Sequence, residues 1–183
     1  MDKVILPDTI NGRKIVLRLN KLGHAEEMFQ CVDSDRERLR IFLSWVDRTI
    51  SLEDEIKFIK TSGFWNNRPM LSYGIFHFDK IVGNITAHNI ILDNKTCELG
   101  YWIHSKYEGQ GLISDAVSTL EQALFESGFI RIEIHCNEKN TRSIEVAKRN
   151  NYKFEKKVKE RLPESESESE SEEEEMMIFV KNK

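Results

Sequence analysis

The chain has 183 residues, of which 39% are hydrophobic and 32% are charged, and its formal net charge is -4 at pH 7. This composition predicts a single soluble domain over residues 1–183 and, without a signal pattern, a cytoplasmic location. It excludes a transmembrane helix, because no apolar run approaches the roughly 20 residues that span a bilayer. The three cysteines are odd in number and lack paired spacing, which argues against a disulfide framework and a zinc site.

Periodicity predicts helices and strands in turn along the first half of the chain. The helix that follows Ser51 begins with Ser51-x-x-Asp54, which resembles a capping box. The last three strands of this half form an antiparallel meander, whose first hairpin turns at Asp79-Lys80. The predicted elements are a strand at 14–19, helices at 24–32, 36–45 and from Ser51, and strands at 70–78, 81–91 and 96–103.

The second half contains a clear amphipathic helix. Its apolar residues recur at helical spacing and Ser127-Gly128 ends it. A strand-helix-strand unit predicts parallel pairing of the strands on either side of this helix. We therefore predict an α/β fold, with a mixed, largely antiparallel sheet of six or seven strands and helices on both faces. The apolar face comprises Ile113, Ala116, Val117, Leu120 and Leu124, and the later elements are strands at 130–136, 152–161 and 176–180 and a helix at 141–149.

An acidic low-complexity block occupies residues 164–175 and contains eight Glu and four Ser. Like charges without apolar residues gain too little from burial to fold, so we predict a disordered loop within the domain. The block is either an inert solvated insertion or a segment that attracts a cationic substrate. The rest of the chain is net positive, which suits an anionic cofactor and does not demand a nucleic-acid partner.

A glycine turn precedes the amphipathic helix. Gly109-Gln110-Gly111 can bring the backbone close to a ligand, and the first helical amides have no intrahelical partner, which is the geometry that binds phosphate. Neither nucleotide motif fits, because Leu112-Ile113 stand where a P-loop needs Lys and Ser or Thr, and Ser114 stands where a dinucleotide motif needs glycine.

The stretch from Glu98 to Ser114 resembles the acetyl-CoA motif of the GNAT N-acetyltransferases, in particular the RimJ/RimL type, which acetylates N-terminal amines of ribosomal proteins. A second match is Asn137-x-x-Asn140-x-x-Ser143, followed by a helix and Tyr152-Lys153-Phe154-Glu155. The resemblance covers about residues 10 to 160. In the motif Arg/Gln-x-x-Gly-x-Gly/Ala, Glu108 and Ile113 occupy the first and last positions, and both are departures from the family pattern.

The resemblance implies the GNAT fold, in which the fourth and fifth strands separate and admit the cofactor arm. It implies acetyl-CoA as donor, no metal, and a protein N-terminal α-amine as acceptor. A polyamine or aminoglycoside acceptor, or a non-catalytic acyl-CoA-binding module, stays open. So does a homodimer. The implied cofactor-binding residues are Tyr101, Trp102, Ile103, Gly109, Gln110, Gly111, Leu112, Ile113, Ser114, Asn137 and Asn140.

Acetyl transfer needs a neutral amine and a proton for the leaving thiolate. The family match makes Ser143 the proton donor, although Ser143 could equally be a first-turn helix residue capped by Asn140. Glu98 is the candidate base, or else a salt-bridged surface glutamate. His88 and His104 are reserve bases because imidazole titrates near neutral pH.

Overall fold

The computed structural model describes residues 6–61, 64–65, 68–161 and 173–183. The α-helices within these residues are α1 (Ala25–Asp33), α2 (Arg36–Leu39), α3 (Leu52–Thr61), α4 (Leu112–Glu126) and α5 (Thr141–Arg149), with 3-10 helices at Leu22–His24, Ser44–Arg48 and Ser105–Tyr107. The strands are β1 (Thr9–Asn11), β2 (Val16–Leu19), β3 (Phe64–Trp65), β4 (Arg68–Pro69), β5 (Leu71–His77), β6 (Lys80–Ile91), β7 (Thr96–Ile103), β8 (Arg131–Asn137), β9 (Lys153–Arg161) and β10 (Glu173–Asn182).

One eight-stranded sheet forms the centre of the fold, in the order β1-β2-β5-β6-β7-β8-β10-β9. Its neighbouring strands are antiparallel except β7 and β8, which run parallel and are connected through α4. The predicted α/β class and mixed sheet are confirmed, but the count of six or seven strands is wrong. The additional strand is β1, which at three residues is too short to show a periodic pattern.

Helices cover both faces of the sheet, as predicted. The apolar face of α4 packs into the main core, and all five residues expected on that face are buried. Met28 of α1 packs on the opposite face against Phe76 and Ile81. In the described parts of the chain, no helix has both the length and the apolar character that crossing a membrane requires.

The end of α4 follows the sequence prediction. Gly128 has a φ of 105°, which glycine adopts without strain. The N–H of Phe129 donates to the carbonyl of Leu124 (3.1 Å), and the N–H of Gly128 donates to the carbonyl of Phe125 (3.2 Å). These two bonds form a Schellman motif, which satisfies carbonyls that the end of the helix would leave open.

The helix predicted over 36–45 is wrong beyond Leu39, where α2 ends. The Arg36 guanidinium donates to the carbonyls of Val46 and Thr49, which fold the following segment back beside α2. A pattern of apolar residues cannot reveal this arrangement, because backbone carbonyls 10 and 13 residues away are the partners.

The first hairpin turns one residue earlier than predicted. Phe78 and Asp79 occupy the loop with φ values of 48° and 58°, and His77 pairs with Lys80. Two successive left-handed residues match the right-handed twist of the flanking strands. An irregularity between Ile75 and Phe76 shifts the register, and propensity alone does not predict such a shift.

The predicted acidic loop ends earlier than expected. Residues 164–172 lie outside the described residues, but Glu173, Glu174 and Glu175 begin β10 and are not loop. Their backbones pair with the last residues of β9. The Lys157 ammonium lies 3.3 Å from the Glu175 carboxylate, so a basic strand opposite offsets part of the repulsion among these glutamates.

Candidate active site

The two parallel strands β7 and β8 separate after a short contact. They pair at Thr96–Arg131, Cys97–Ile132 and Glu98–Glu133, and no further pairs follow along the described strands. This is the separation that the GNAT resemblance implied. A cleft of about 200 Å³ opens beyond the last pair. Its lining comes from Leu99, Gly100 and Tyr101 on β7, Ile134, His135, Cys136 and Asn137 on β8, Asn140 and Ser143 at α5, and Phe42, Leu43, Glu174 and Met176.

The predicted glycine turn stands at the start of α4. Gly109 and Gly111 have φ values of 73° and 76°, and Gly111 is the residue that caps the helix. The first helical hydrogen bond runs from the N–H of Asp115 to the carbonyl of Gly111 (3.1 Å). The amides of the predicted residues Leu112, Ile113 and Ser114 therefore precede the helical ladder, which leaves them available to an anion.

Lys14 stabilises this turn through hydrogen bonds. No sequence motif identified this residue as part of the site. The residue lies just before β2, and not in the strand predicted from residue 14. Its ammonium donates to the carbonyl of Gln110 (2.8 Å), and its backbone N–H donates to Oδ2 of the buried Asp115 (2.6 Å). The N–H of Gly111 points away from Lys14, because the carbonyl and N–H of a trans peptide are antiparallel. Lys14 thus polarises a peptide whose N–H faces the other side of the turn.

Glu108, which departs from the family motif, is engaged by two arginines. One carboxylate oxygen accepts from Arg38 (2.8 Å), and the other accepts from Arg142 in the first turn of α5. Arg38 also donates to the carbonyl of Ile103. Glu108 therefore holds two guanidinium groups beside the glycine turn, where the motif has a single basic or amide side chain.

The three predicted pantetheine-binding residues of β7 differ in their surroundings. Tyr101 lines the cleft, whereas the side chain of Trp102 packs against Trp45 with ring centroids 6.1 Å apart. The carbonyl of Ile103 accepts from Arg38. The residues of β7 that line the cleft are Leu99, Gly100 and Tyr101, where this strand has already separated from β8.

The predicted Asn-x-x-Asn-x-x-Ser residues meet at the cleft. The side chain of Asn140 accepts from the N–H of Ser143 (3.2 Å) and so caps α5. The hydroxyls of Ser143 and Tyr101 are 3.0 Å apart. Burial raises the pKa of Tyr101, so its phenol stays protonated. Asn137 donates to the Glu174 carboxylate (2.8 Å) and accepts from the N–H of Lys139 (2.8 Å).

Glu98 lies at the point where β7 and β8 separate. It accepts from Asn89 (2.9 Å), and each of its oxygens is 3.7 Å from an imidazole nitrogen, one of His88 and one of His135. Burial lowers the pKa of His88, against the opposing effect of Glu98. The other reserve base, His104, is buried beside the 3-10 helix at Ser105–Tyr107, where its Nδ1 accepts from Lys106. The prediction of Glu98 as base stays a prediction.

His135 is the cleft residue that sequence reasoning missed. The alternation of the strand indicated its orientation, because His135 shares a strand face with Glu133 and precedes Asn137 by two residues. The Asn-x-x-Asn-x-x-Ser motif does not include His135 and so gave no reason to select it. Only the separation of β7 and β8 shows that this alternate residue faces the cleft.

Comparison with known proteins agrees with this geometry. A family model described as "Acetyltransferase (GNAT) domain" matches residues 14–153. The ribosomal-protein-serine acetyltransferase of Escherichia coli (strain K12) is 31% identical over 135 residues, which are 73% of this chain and 75% of that protein.

Two solved structures share the fold across nearly the whole chain. RimL, a ribosomal L7/L12 alpha-N-protein acetyltransferase in complex with coenzyme A, has a TM-score of 0.83 and 22% identity, covering 95% of this chain and 97% of its own. The microcin C7 self-immunity acetyltransferase MccE, in complex with acetyl-CoA and AMP, has a TM-score of 0.85 and 23% identity, covering 98% of each chain.

The chain belongs to the GNAT acetyltransferase family. The predicted resemblance and the predicted enzyme class, an acetyl-CoA-dependent acyltransferase, are confirmed. The roles of the individual predicted site residues stay predictions.

Proposed function

We propose that this enzyme transfers the acetyl group of acetyl-CoA to the α-amine of a protein N-terminus. The observation that carries the proposal is the 31% identity, over 73% of the chain, to an acetyltransferase named for a serine of ribosomal proteins. Two features of the structure support it: backbone amides at the start of α4 that precede the helical hydrogen bonds, and the Glu98 carboxylate beside His88 and His135.

The donor is held by backbone and helix-end groups in this proposal. The amides from Gly109 to Ser114 bind the pyrophosphate of acetyl-CoA, which the positive end of α4 attracts. The backbone of Leu99–Tyr101 pairs with the amides of the pantetheine arm, as an added strand would. Asn137 and Asn140 line the cleft into which this arm would extend between β7 and β8.

The acceptor approaches from the acidic side of the cleft. Glu98 brings negative charge to the point where β7 and β8 separate, which favours a cationic amine before it loses its proton. The amine nitrogen then attacks the thioester carbonyl, and the carbon–sulfur bond breaks. The hydroxyl of Ser143, in contact with the Tyr101 hydroxyl, gives a proton to the leaving thiolate.

The test compares peptides that differ only at the first amine. Purified protein, acetyl-CoA and a peptide with a free N-terminal serine should give a product heavier by one acetyl group, located on the first residue by fragmentation mass spectrometry. The same peptide with a blocked N-terminus and internal lysines should not react. Acetylation of the lysines alone, or of spermidine but not of the peptide, would overturn the proposal.

The expected place of action follows from the acceptor. A ribosomal-type protein substrate would be met in the cytoplasm, and fractionation of cells that express a tagged chain would test this location. Recovery of the chain outside the soluble cell fraction would contradict it.

A further inference from the structure

The imidazole of His135 lies where β7 and β8 separate and forms part of the cleft wall. Its side chain is 16% exposed, so a substrate can reach it while bulk water is mostly excluded. The neighbouring residues Ile134 and Cys136 also border the cleft, but their side chains leave the strand on its other face and are buried. A titratable ring is thus presented at the acceptor side of the cleft.

One ring nitrogen is fixed by a carboxylate. Nε2 of His135 lies 2.8 Å from Oε2 of Glu133, and Oε1 of Glu133 accepts from Nε of Arg131 (2.8 Å). Burial alone would raise the pKa of Glu133, but the hydrogen bonds from His135 and Arg131 outweigh it and lower that pKa. Because an ionised carboxylate can only accept, Nε2 carries the proton, and Nδ1 of the neutral ring is the basic nitrogen.

The other ring nitrogen faces Glu98. Nδ1 of His135 lies 3.7 Å from Oε2 of Glu98, and Asn89 donates to the same oxygen (2.9 Å). This separation is longer than a hydrogen bond and short enough for one ammonium nitrogen to lie within hydrogen-bond distance of both atoms. His88, 3.7 Å from the other oxygen of Glu98, completes the group.

We propose that His135 is the base that takes the proton of the acceptor ammonium, with Glu98 as co-ligand of the ammonium and Glu133 as the positioning residue. The proposal rests on the proposed amine acetylation. It differs from the sequence prediction, in which Glu98 was the base.

The proton balance of the reaction is complete. The ammonium gives one proton to Nδ1, and the neutral amine attacks the thioester carbonyl. When the carbon–sulfur bond breaks, the new amide nitrogen loses its second proton, and the thiolate gains one through Ser143. The imidazolium, held between two carboxylates, returns its proton to solvent. The net products are the acetylated amine, the free thiol and one proton.

A metal site does not explain the cluster. Among the described residues, no three His, Cys, Asp or Glu side chains are arranged to hold a metal ion. Among the described residues, the ionisable groups beside His135 include Glu98 of β7, His88 of β6 and Glu133 of its own strand. The carboxylates of Glu133 and Glu98 lie beside Nε2 and Nδ1 of the ring, respectively.

The kinetic test uses His135→Gln, which retains an amide donor and cannot take a proton at neutral pH. At pH 7 we expect kcat to fall about 100-fold, with the affinity for acetyl-CoA unchanged. Above about pH 9, where a free α-amine is already neutral, the variant should regain most of the rate. His24→Gln, at the N-terminal end of α1, is the matched control. A loss that is equal at every pH, or no loss at pH 7, overturns the proposal.

A second measurement does not depend on turnover. Long-range proton–nitrogen NMR of the wild-type protein should show the neutral His135 ring with its proton on Nε2, and Glu133→Ala should disturb this preference. A ring protonated on Nδ1 in an active enzyme overturns the role of His135 and leaves the proposed function intact. A wild-type protein that acetylates no amine overturns both.

Discussion

At the scale of single residues, the geometry of the cleft depends on a few side chains that are hydrogen-bonded to one another or to the backbone. Asn140 caps α5 and so fixes the position of Ser143, and the Ser143 hydroxyl meets the Tyr101 hydroxyl at the wall of the cleft. Because Tyr101 is held protonated by burial, it keeps a donor directed at Ser143. In the proposed mechanism the proton of the leaving thiolate comes from this pair of hydroxyls, and substitution can test each of them separately.

Ser143→Ala removes one hydroxyl without changing the cap, because Asn140 bonds to a backbone N–H. We expect kcat to fall about 10- to 100-fold with little change in the KM for acetyl-CoA, since a general acid contributes to the chemical step. Steady-state kinetics checks this, with Ser118→Ala on the outer part of α4 as the control. An unchanged kcat would remove the proton-donor role and leave Ser143 as a helix residue.

Gly111→Val tests the glycine turn through the backbone. A Cβ at Gly111 would meet only the Lys14 ammonium, at 3.6 Å, so the substitution acts through the φ of 76° and not through crowding. A β-branched residue in the left-handed region should lose about 1–2 kcal/mol of stability or distort the turn. We expect weaker acetyl-CoA binding by calorimetry, with Gly23→Ala, which has open space around it, as the neutral control. Equal affinities would show that the turn does not hold the cofactor.

At the scale of elements, the start of α4 is braced by the segment that joins β1 and β2. Asp115 in the first turn of α4 accepts from the Lys14 backbone and lies 3.5 Å from Arg13. Gly12 fits closely here, since a Cβ on it would lie 2.9 Å or less from Thr119 and Asp115. The N-terminal strands thus position the glycine turn, although they are distant from it in sequence.

Lys14→Gln should weaken the contact between the N-terminal segment and the glycine turn. The lost charged hydrogen bond to Gln110 should raise the Kd for acetyl-CoA about fivefold, because the Gly111 N–H is less polarised and less firmly placed. Binding of S-acetyl-pantetheine, which has no pyrophosphate, should not change. Calorimetry with both ligands gives the comparison, and Lys14→Arg should retain most of the affinity. Equal weakening for both ligands would point to a general loss of fold.

At the scale of the whole molecule, α4 packs into the main core on one face of the sheet, whereas α1 packs on the other face and contacts α3. Glu55 of α3 is 3% exposed, and burial raises its pKa to about 7. This carboxyl contributes nothing to the cleft lining, so its influence is on stability. A buried acid of this kind makes the stability of the entire fold depend on pH.

The sign of that dependence follows from linkage. The pKa of Glu55 is about 7 in the folded chain and 4.5 as the reference value, so the folded state retains a proton that the unfolded state releases. Stability should be greatest below pH 4.5 as far as Glu55 is concerned, and fall by about 3 kcal/mol as the pH rises past 7. Glu55→Gln should flatten this part of the profile in urea denaturation at pH 5 and pH 8. If wild type and Glu55→Gln differed in the free energy of unfolding by the same amount at pH 5 and at pH 8, the prediction would be contradicted.

Local patterns predicted most of the secondary structure. The apolar face and Schellman end of α4, the parallel crossover between β7 and β8, and the glycine turn all depend on residues close together in the chain. The secondary-structure predictions were wrong where atoms distant in the chain determine the local structure. The helix α2 ends early because Arg36 donates to carbonyls beyond it. The short strand β1 exists through its pairing with β2. The last three acidic residues belong to β10 because their backbones pair with β9.

The sequence by itself determined the family, the fold class and the glycine turn before α4, because glycines, a helical repeat and a short polar motif act over a few residues. Only the tertiary structure decided what faces the cleft. The separation of β7 and β8 after Glu98 placed His135 opposite Glu98, and the packing of the N-terminal segment on α4 brought Lys14 to Gln110. These contacts join residues 37 and 96 positions apart, and no local pattern encodes them, since they exist only when the sheet has formed.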